Sequence, residues 1–457
     1  MYRINVKSPI HIGFITSSKK LSFDFNSIEL VMKAYVISNE GQPLMPCEPV
    51  IARLLLKSKR AKVIRREPFT IKLLYETTSY VQKLTLGVDT GSRTIGTAVV
   101  DEKGNVLYMS EVHVRNDISK KMTQRAKYRR SRRSRKTRYR KSRFMNRRNS
   151  IRKERFSPTM ISKIQSHVKE IEFIKSVLPV NTIVLETGQF DTHLMKNPSL
   201  ANPKVRHWGY QKGPNYGFEN TKAMVLNRDD YTCQCCHGKH KDSHLEVHHI
   251  VFRSHGGSDE SENLITLCHT CHKALHDGKI HPNLKGKAKG TLKYATQMNS
   301  IRKQLLKIYP EAIETFGYIT KANRLNLGVD KEHYSDACVI ATQGKAFQVK
   351  TALFQKKCVP DGDFQKTKGV RSEQKISTGK MQGFRKFDKV RYLRKEYFIK
   401  GRMASGYAVL MDIFGNKIDF SSMPKGFKTP KMKNMTRVQA RSSWMTTSIQ
   451  VLYVYQY

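Results

Sequence analysis

The segment 84–111, LTLGVDTGSRTIGTAVVDEKGNVLYMSE, decides the fold of the chain around it. Its apolar and β-branched residues predict three consecutive strands, at 84–88, 94–100 and 106–111, joined by tight turns. Asp89 directly follows the first of these strands. The segment therefore predicts the beginning of a sheet whose first strand ends in a carboxylate.

Two kinds of fold open in this way. An RNase H-like sheet begins with three such strands, and actin-like ATPases begin with a similar Asp-x-Gly-x-x turn that holds phosphate. Gly91 allows a close approach of the backbone in either case. The choice between the two folds depends on carboxylates further along the chain.

Two later carboxylates favour the RNase H-like sheet. The strand predicted at 182–185 ends at Glu186, and Asp336 lies near the start of a predicted helix. With Asp89, they occupy the strand ends and helix start from which an RNase H-like fold gathers carboxylates around two metal ions. Two ions ~4 Å apart bind both the attacking and the leaving oxygen of a phosphodiester. His333, three residues before Asp336, would orient or deprotonate the water.

An arginine-rich segment, 120–155, separates the first of these elements from the others. It has 19 Lys and Arg and one acid among 36 residues, without Pro or Gly, so a continuous helix is predicted. A solvated or disordered basic tail is the alternative for such a charge run. The internal position and the aromatic residues Tyr128, Tyr139 and Phe144 favour a helix threaded through a polyanion. The residues predicted to bind phosphate are Arg125, Arg129, Arg132, Arg133, Lys136, Arg140, Arg143 and Arg147.

The composition of the whole chain also indicates a nucleic-acid partner. Lys and Arg number 84 against 37 Asp and Glu, a formal charge of +47, which does not distinguish DNA from RNA. No apolar run approaches the ~18–20 residues that span a bilayer, and 1–31 lack the layout of a secretory signal. Eight cysteines, four of them in a zinc pattern, fit an intracellular chain. We expect a cytoplasmic, nucleoid-associated protein of a prokaryote and no membrane partner.

Four cysteines form the strongest metal signal. Cys233 and Cys236 make one Cys-x2-Cys pair, Cys268 and Cys271 make another, and 31 residues separate the pairs. Four thiolates at about 2.3 Å from Zn²⁺ form a closed tetrahedral site, which holds together a segment too small to build its own core. Cys235 lies inside the first pair, but the x2 spacing favours its neighbours. The pattern predicts structural zinc.

Polar residues between and after these cysteines indicate a second site. They are His248, His249, Asn263, His272 and His276. His272 and His276, at i and i+4, share one face of a short helix and form a natural pair for a metal. The histidines are surface residues, alternative zinc ligands or, because four cysteines already close one site, a separate metal site.

This set resembles the HNH, or ββα-metal, nuclease pattern, in which a histidine pair, a downstream Asn and a Cys-x-x-Cys-His close follow in order. The resemblance implies that His248, His272 and His276 hold one Mg²⁺-like ion. It further implies that His249 is the general base and that Asn263 braces the loop that aims it. A metal stabilises the leaving 3′ oxygen while a near-neutral imidazole takes the proton.

The remaining chain predicts smaller modules. An N-terminal α+β module is indicated by four elements and a C-terminal β-barrel-like domain by four more, while 361–378 is predicted to be a loop. The predicted strands are 34–38, 61–64, 70–75, 313–320, 388–393, 396–399, 408–414 and 450–455, and the predicted helices are 51–59 and 158–178.

Taken in order, the motifs resemble the IscB family, transposon-associated RNA-guided nucleases related to the type II CRISPR effectors. The residues that carry the resemblance, over roughly 32–420, are Pro43-Leu44-Met45-Pro46, Asp89 in GVDTGS, the arginine-rich bridge helix, Glu186 in VLETGQFD, the HNH block, and His333 and Asp336 in EHYSDA. The implied fold class is multidomain, α/β with α+β modules, built on a split RNase H-like (RuvC) domain.

The resemblance also implies a division of the chain. It assigns 1–31 to an extension of unknown role, 32–82 to an N-terminal PLMP-type module, 83–118, 157–219 and 283–360 to the three RuvC-like parts, 119–156 to the bridge helix, 220–282 to a zinc-stapled HNH domain and 361–457 to a C-terminal β-rich domain near a short DNA motif.

The implied activity is RNA-guided cleavage of double-stranded DNA. The HNH site would cut the guide-paired strand and the RuvC-like site the displaced strand, while a guide RNA binds the bridge helix and N-terminal module. The implied cofactors are Mg²⁺ at both sites, with Mn²⁺ as a substitute, and structural Zn²⁺, in a monomeric protein within a ribonucleoprotein. An unguided HNH endonuclease, homing or structure-specific, and a non-catalytic RNA-binding protein are the alternatives.

Overall fold

The computed structural model describes residues 33–78, 80–134, 156–209, 212–213, 215–240, 242–255, 257–280, 292–360, 364–365, 374–375, 381–403, 405–424 and 426–451. The chain divides into two compact units, one made of Met1–Gly188 with Ile301–Tyr457 and the other of Gln189–Ser300. No helix among the described residues is long and apolar enough to cross a membrane.

The regular elements are numbered in chain order. The strands are β1 (Ala34–Ile37), β2 (Pro43–Cys47), β3 (Ala61–Arg65), β4 (Thr70–Leu73), β5 (Leu84–Asp89), β6 (Thr94–Asp101), β7 (Asn105–His113), β8 (Val180–Thr187), β9 (Leu245–His249), β10 (Leu264–Cys268), β11 (Ile313–Phe316), β12 (Gln348–Val349), β13 (Leu353–Cys358), β14 (Phe364–Gln365), β15 (Gln374–Lys375), β16 (Lys389–Tyr392), β17 (Lys395–Arg402), β18 (Ala408–Met411), β19 (Thr436–Gln439) and β20 (Trp444–Ile449). The α-helices are α1 (Pro49–Lys57), α2 (Ile118–Ser134), α3 (Pro158–Lys175), α4 (Thr192–Lys196), α5 (Pro203–Gly209), α6 (Thr221–Arg228), α7 (His269–His276), α8 (Lys293–Ile308), α9 (Gly317–Asn326) and α10 (His333–Thr342).

A large mixed sheet organises the first unit. Its strand order is β11-β8-β5-β6-β7-β13-β20, and β12 pairs with β7. Strands β5, β6 and β7 form the antiparallel meander that the sequence predicts, and β8 and β11 continue from β5 in parallel. This arrangement places the carboxyl ends of β5 and β8 side by side at the same end of the sheet.

Helices cover both faces of this sheet. Successive residues of a strand point to opposite faces, so each strand contacts helices on both sides. On one face Ala98 and Met109 pack against α10. On the other face the Tyr108 and Ser110 hydroxyls donate to Glu170 of α3. Lys356 of β13 is fully buried, and its Nζ lies 2.8 Å from both carboxylate oxygens of Glu170. A buried pair satisfied in this way ties α3 to the sheet.

Two glycines allow α10 to lie directly on the sheet. A Cβ at Gly87 of β5 would lie 2.3 Å from the carbonyl oxygen of Ala337, and a Cβ at Gly96 of β6 would lie 1.9 Å from that of His333. These distances are far below van der Waals contact and involve backbone atoms, which side-chain rotation cannot relieve. The start of α10 therefore lies next to the ends of β5 and β8.

The N-terminal module contains one strand that the sequence did not predict. Its sheet has the order β2-β1-β4-β3, and β2 is formed by the Pro43–Cys47 segment that carries the PLMP motif. Proline is acceptable there because β2 lies at the sheet edge and pairs only with β1. Tyr35 of β1 donates its hydroxyl to the carbonyl oxygen of Leu107, which links this module to the large sheet.

Three sequence predictions differ from the structure. The strand predicted at 313–320 ends at Phe316, because α9 begins at Gly317 and turns Thr320 and Arg324 inward. Of the strand predicted at 450–455, residues 452–455 lie outside the described residues, and Gln450 and Val451 are not in a strand. The preceding strand β20 ends at Ile449 and pairs with β13 of the large sheet. The predicted loop 361–378 contains the short pair β14 and β15.

The C-terminal domain contributes to two sheets. Its described strands form an antiparallel sheet of order β18-β17-β16-β19 around a core that includes Val390, Ile399 and Leu410, instead of the predicted barrel-like arrangement. Because β20 belongs to the large sheet, the segment 361–457 does not fold as one separate body. Lys389 forms ion pairs with Glu67 and with Glu396 of β17. The ion pair with Glu67 links this sheet to the N-terminal module.

Substitution of Gly96 by alanine tests the close approach of α10. The new methyl group would meet the His333 carbonyl, so we expect a loss of ~1–3 kcal/mol or more in the free energy of unfolding of the large unit. Gly426→Ala is the matched control, since a Cβ there meets nothing within 4 Å, and it should cost less than ~0.5 kcal/mol. Urea unfolding followed by circular dichroism measures both, and equal midpoints would contradict the expectation.

Candidate functional site

Strand register brings the first two predicted carboxylates together. Asp89 on β5 and Glu186 on β8 are directly paired neighbours in parallel strands, which lie ~4.8 Å apart. From α10, Nδ1 of His333 hydrogen-bonds with Oδ2 of Asp89 at 2.6 Å, and Asp336 follows on the same helix. These four residues are called the carboxylate site below.

Burial and mutual repulsion make the carboxylate site receptive to cations. Burial first, and then the charge of Asp89, raises the pKa of Glu186 to about 7 and also raises the pKa of Asp336. Oε2 of Glu186 is buried without a hydrogen-bond partner. A buried carboxylate oxygen without a donor, beside two further carboxylates, suits a hard divalent ion such as Mg²⁺. The chemistry of this site therefore fits the metal predicted from the sequence.

Two residues that the sequence analysis did not predict, Arg324 and Glu111, adjoin the carboxylate site. Nε of the buried Arg324 lies 2.9 Å from Oδ1 of Asp336, an ion pair whose geometry is not that of a regular hydrogen bond. Glu111 on β7 pairs with Gly96 and so lies in the same row across the sheet as Asp89. Burial raises the pKa of Glu111, while the charge of His333 lowers it. Only the tertiary packing identifies either residue, because neither belongs to a motif.

In the second unit, the four predicted cysteines form one buried cluster. Their sulfur atoms lie within 4.8 Å of one another, and Sγ of Cys236 lies 3.8 Å from Sγ of Cys268. A tetrahedral ion with bonds of about 2.3 Å requires edges of ~3.8 Å. Burial raises the pKa of both Cys268 and Cys271, so a cation between the thiols would favour their ionisation. The cluster fits the zinc predicted from the sequence.

The histidines His248, His272 and His276 form a second cluster, called the histidine site. Their ligand atoms lie within 4.8 Å of one another, and the Nε2 atoms of His272 and His276 are 3.2 Å apart. Burial first, and then its two neighbours, lowers the pKa of His248 to about 4, which keeps this ring neutral. Imidazole ligands suit zinc, nickel or iron better than Mg²⁺. The donor set therefore fits a transition-metal ion better than the predicted Mg²⁺.

The predicted general base, His249, is the last residue of β9 and follows His248 of the histidine site directly. Asn263 is almost fully buried, accepts from the Val251 amide, and donates to the carbonyl oxygens of Val251 and Ser258. Nε2 of His249 lies 2.8 Å from Oδ1 of Asp259. The Asn263 side chain thus contacts three backbone atoms of the loop that follows β9. Asp259 was not predicted, because an acid in a polar loop carries no pattern of its own.

Comparison with known proteins identifies this region. The profile described as HNH endonuclease matches residues 233–278, which include the cysteine cluster and the histidine site. The chain contains an HNH endonuclease domain. A second profile, described as RRXRR protein, matches residues 34–213, which cover the N-terminal module, α2 and part of the large sheet.

Two curated relatives match short stretches of the chain. The type IV methyl-directed restriction enzyme EcoKMcrA of Escherichia coli K12 is 37% identical over 65 residues, 13% of this chain and 23% of the enzyme. Anaredoxin of Nostoc is 34% identical over 70 residues, 15% of this chain and 88% of Anaredoxin. Over these 70 residues the chain belongs to the family of Anaredoxin. The chain spans less than a quarter of the length of the restriction enzyme.

Solved structures of Streptococcus thermophilus Cas9 are also similar. The complex with the GGAA PAM matches at 14% identity and a TM-score of 0.31, over 47% of this chain and 30% of Cas9. The complex with the AGGA PAM matches at 12% identity and a TM-score of 0.33, over 57% of this chain and 32% of Cas9.

The predicted bridge helix is described in part. Helix α2 covers Ile118–Ser134, and its Arg125 and Arg129 are exposed. Arg132 and Arg133 lie in the last turn of α2. The remaining predicted phosphate-binding residues, Lys136, Arg140, Arg143 and Arg147, lie outside the described residues. A helix with exposed arginines is therefore present where the sequence analysis expected one.

The raised pKa of Glu186 predicts a specific pH dependence of stability. Between its ordinary value near 4.5 and about 7 the folded state binds the extra proton, so without Mg²⁺ stability falls as pH rises through this range. Glu186→Gln removes that fall. At pH 8 the variant should unfold at a higher urea concentration than the wild type, because its free energy of unfolding is larger by on the order of 1–3 kcal/mol. At pH 4.5 the two free energies of unfolding should be nearly equal.

Glu76→Gln provides the control, because Glu76 is an exposed glutamate in the same unit. It should follow the wild-type profile at every pH. A wild-type profile reproduced by Glu186→Gln would contradict the raised pKa.

Proposed function

We propose that this protein is an RNA-guided, metal-dependent DNA endonuclease of the IscB kind, with one cleavage site in the HNH domain and a second at the carboxylate site. The observation that carries the proposal is the convergence of Asp89, Glu186, His333 and Asp336 in a chain that also contains an HNH domain. The large sheet has the strand order β11-β8-β5-β6-β7, in which β5, β6 and β7 are antiparallel neighbours. This order supports the assignment of the sheet as RuvC-like.

In the HNH domain, His249 would act as the general base. Its Nε2 is engaged by Asp259, so the free Nδ1 would take the proton of the attacking water. Asn263 holds the loop that follows His249, which fixes the direction of this ring. His248 and the two helix histidines would hold the metal, which supplies positive charge for the leaving 3′ oxygen.

At the carboxylate site, His333 would also accept a proton from water. Its hydrogen bond with Asp89 occupies Nδ1 and raises the pKa of the ring, which leaves Nε2 to take the proton. Asp89, Glu186 and Asp336 would hold the Mg²⁺ ions that bind the attacking and leaving oxygens. Arg324 holds one oxygen of Asp336 and leaves the other for a metal.

The guide RNA is proposed from charge and from family resemblance. The chain carries a formal charge of +47, and α2 exposes Arg125 and Arg129. The RRXRR match covers this helix together with the PLMP-type module. We place the HNH site on the guide-paired DNA strand and the carboxylate site on the displaced strand, with the C-terminal sheet near the DNA motif beside the target. The protein would act as a monomer in a cytoplasmic ribonucleoprotein.

An unguided HNH endonuclease is the second candidate. It is favoured by the 37% identity with a restriction enzyme over 65 residues. Such an enzyme would need neither RNA nor the carboxylate site. The two candidates therefore differ in the effect of RNA removal and in the effect of substitutions at Asp89.

Strand-specific nicking tests the two-site assignment. With its guide RNA and matching DNA labelled on both strands, the wild type should cut both. His249→Ala should leave a nick only in the displaced strand, because the general base of the HNH site is lost, and Asp89→Ala should leave a nick only in the paired strand. Each residual rate at the lost site should be lower by ~10²–10⁴. His207→Ala and Asp330→Ala are the matched controls and should cut both strands, since both side chains are exposed and outside either site. Cleavage of both strands by His249→Ala or Asp89→Ala would contradict the assignment.

The RNA content of the purified protein tests guidance. A defined RNA of a single sequence class should co-purify, and ribonuclease treatment should abolish cleavage of the matching DNA. A random RNA mixture together with undiminished cleavage after ribonuclease treatment would favour the unguided enzyme.

A further inference from the structure

A third cluster of ligand-type side chains lies on the HNH domain, apart from the cysteine cluster and the histidine site. It consists of His244, Glu246 and His269. Nε2 of His244 lies 3.4 Å from Oε1 of Glu246, and Nδ1 of His269 lies 3.3 Å from the same oxygen. The ligand atoms of all three residues lie within 4.8 Å of one another. These three residues are called the outer site.

The backbone holds the outer site in place. His269 begins α7, and its amide donates to the carbonyl oxygen of His244 at 2.9 Å. Asp242 accepts from the amide of His244 and from both the amide and the hydroxyl of Thr270, which closes the same turn. Glu246 lies on β9, paired with a residue of β10. The two histidines are therefore kept beside Glu246 by contacts that do not involve their own rings.

The distances within the outer site match tetrahedral metal coordination. Nitrogen and oxygen ligands at 2.0–2.1 Å from zinc are separated by ~3.3–3.4 Å, as the two distances to Glu246 are. Hydrogen bonds between nitrogen and oxygen are usually ~2.7–3.2 Å long. The same criterion holds for the sulfur atoms of Cys236 and Cys268, at 3.8 Å. The two distances to Glu246 are thus those expected between ligands of one metal ion.

The chemistry of the outer site also suits a transition metal. Two imidazoles and one carboxylate form a frequent three-ligand zinc set that leaves the fourth position for water. The side chains of His244 and His269 are 68% and 58% exposed, so an ion can enter from solvent.

Glu246 joins the outer site to the histidine site. While Oε1 faces His244 and His269, Oε2 forms an ion pair with Nδ1 of His272. Nε2 of His272 faces His276 in the histidine site. A carboxylate that binds the remote nitrogen of a metal-binding histidine fixes its tautomer and orientation. Glu246 is therefore a positioning residue for His272.

We propose that His244, Glu246 and His269 form a third metal site of this protein, which binds Zn²⁺, Co²⁺ or Ni²⁺ with water as the fourth ligand and is coupled to the histidine site through Glu246. An ion there ties the start of β9 to the start of α7. It also fixes the carboxylate that orients His272.

Metal stoichiometry of the full-length protein tests the outer site without reference to DNA cleavage. The protein is titrated with Co²⁺, bound metal is counted by mass spectrometry, and visible absorption separates thiolate-bound from nitrogen- and oxygen-bound cobalt. The wild type should bind three equivalents on the HNH domain, in addition to the ions of the carboxylate site, which every variant keeps. His244→Ala/His269→Ala should bind one fewer with the thiolate band unchanged, which shows that the HNH domain is folded.

Two comparison variants locate the missing equivalent. His207→Ala removes an exposed histidine of the same unit and should keep all three equivalents. His248→Ala/His276→Ala should lose the equivalent of the histidine site and keep that of the outer site. A wild-type metal count in His244→Ala/His269→Ala, or an equal loss in His207→Ala, would overturn the proposal. If the alanine pair lacks the thiolate band, His244→Gln/His269→Gln replaces it, and a wild-type metal count there would likewise overturn the proposal.

Glu246→Gln tests the coupling. It should remove the outer equivalent and weaken metal binding at the histidine site by ~10–100-fold. His244→Ala/His269→Ala keeps Glu246 and should weaken the histidine site less. Equal affinity of the histidine site in Glu246→Gln and wild type would contradict the coupling and leave only an isolated outer site.

Discussion

The close approach of α10 to β5 and β6 is the constraint on which the large unit depends. Gly87 and Gly96 leave no Cβ between sheet and helix, so the helix start lies beside the strand ends. His333 can then bind Asp89, and Asp336 joins the same buried group. Burial in this arrangement raises the pKa of Glu186 and of Asp336. Packing and chemistry at this site are therefore consequences of the same two glycines.

The described part of the HNH domain has only small apolar clusters. Its largest described core cluster consists mainly of cysteines with Leu267, and a second small cluster surrounds Val225. One short hairpin and α7 carry most of its functional residues. Because neighbouring residues on β9 point to opposite faces, His248 is buried in the histidine site while His249 remains partly accessible. Adjacent positions in the chain can thus serve as a ligand and a base.

Residues that belong to a regular pattern could be predicted, and residues whose role comes from packing could not. Asp89 and Glu186 each end an apolar strand, so parallel pairing was enough to bring them together. Arg324 and Asp259 reach their partners from a helix and a loop whose positions no local pattern determines. Strand β20 was not predicted, because its partner, β13, lies some ninety residues earlier in the chain.

The sequence by itself determined the residue types and spacings: the two cysteine pairs, the helical histidines, the strand-ending carboxylates and the basic segment. These signals are local, because ligand spacing and hydrophobic periodicity act over a few residues. Only the tertiary structure decided that α10 lies close to β5, that β20 completes the large sheet and that Glu246 lies between two groups of histidines. Those arrangements depend on contacts between distant segments, whose geometry is set by packing and backbone pairing.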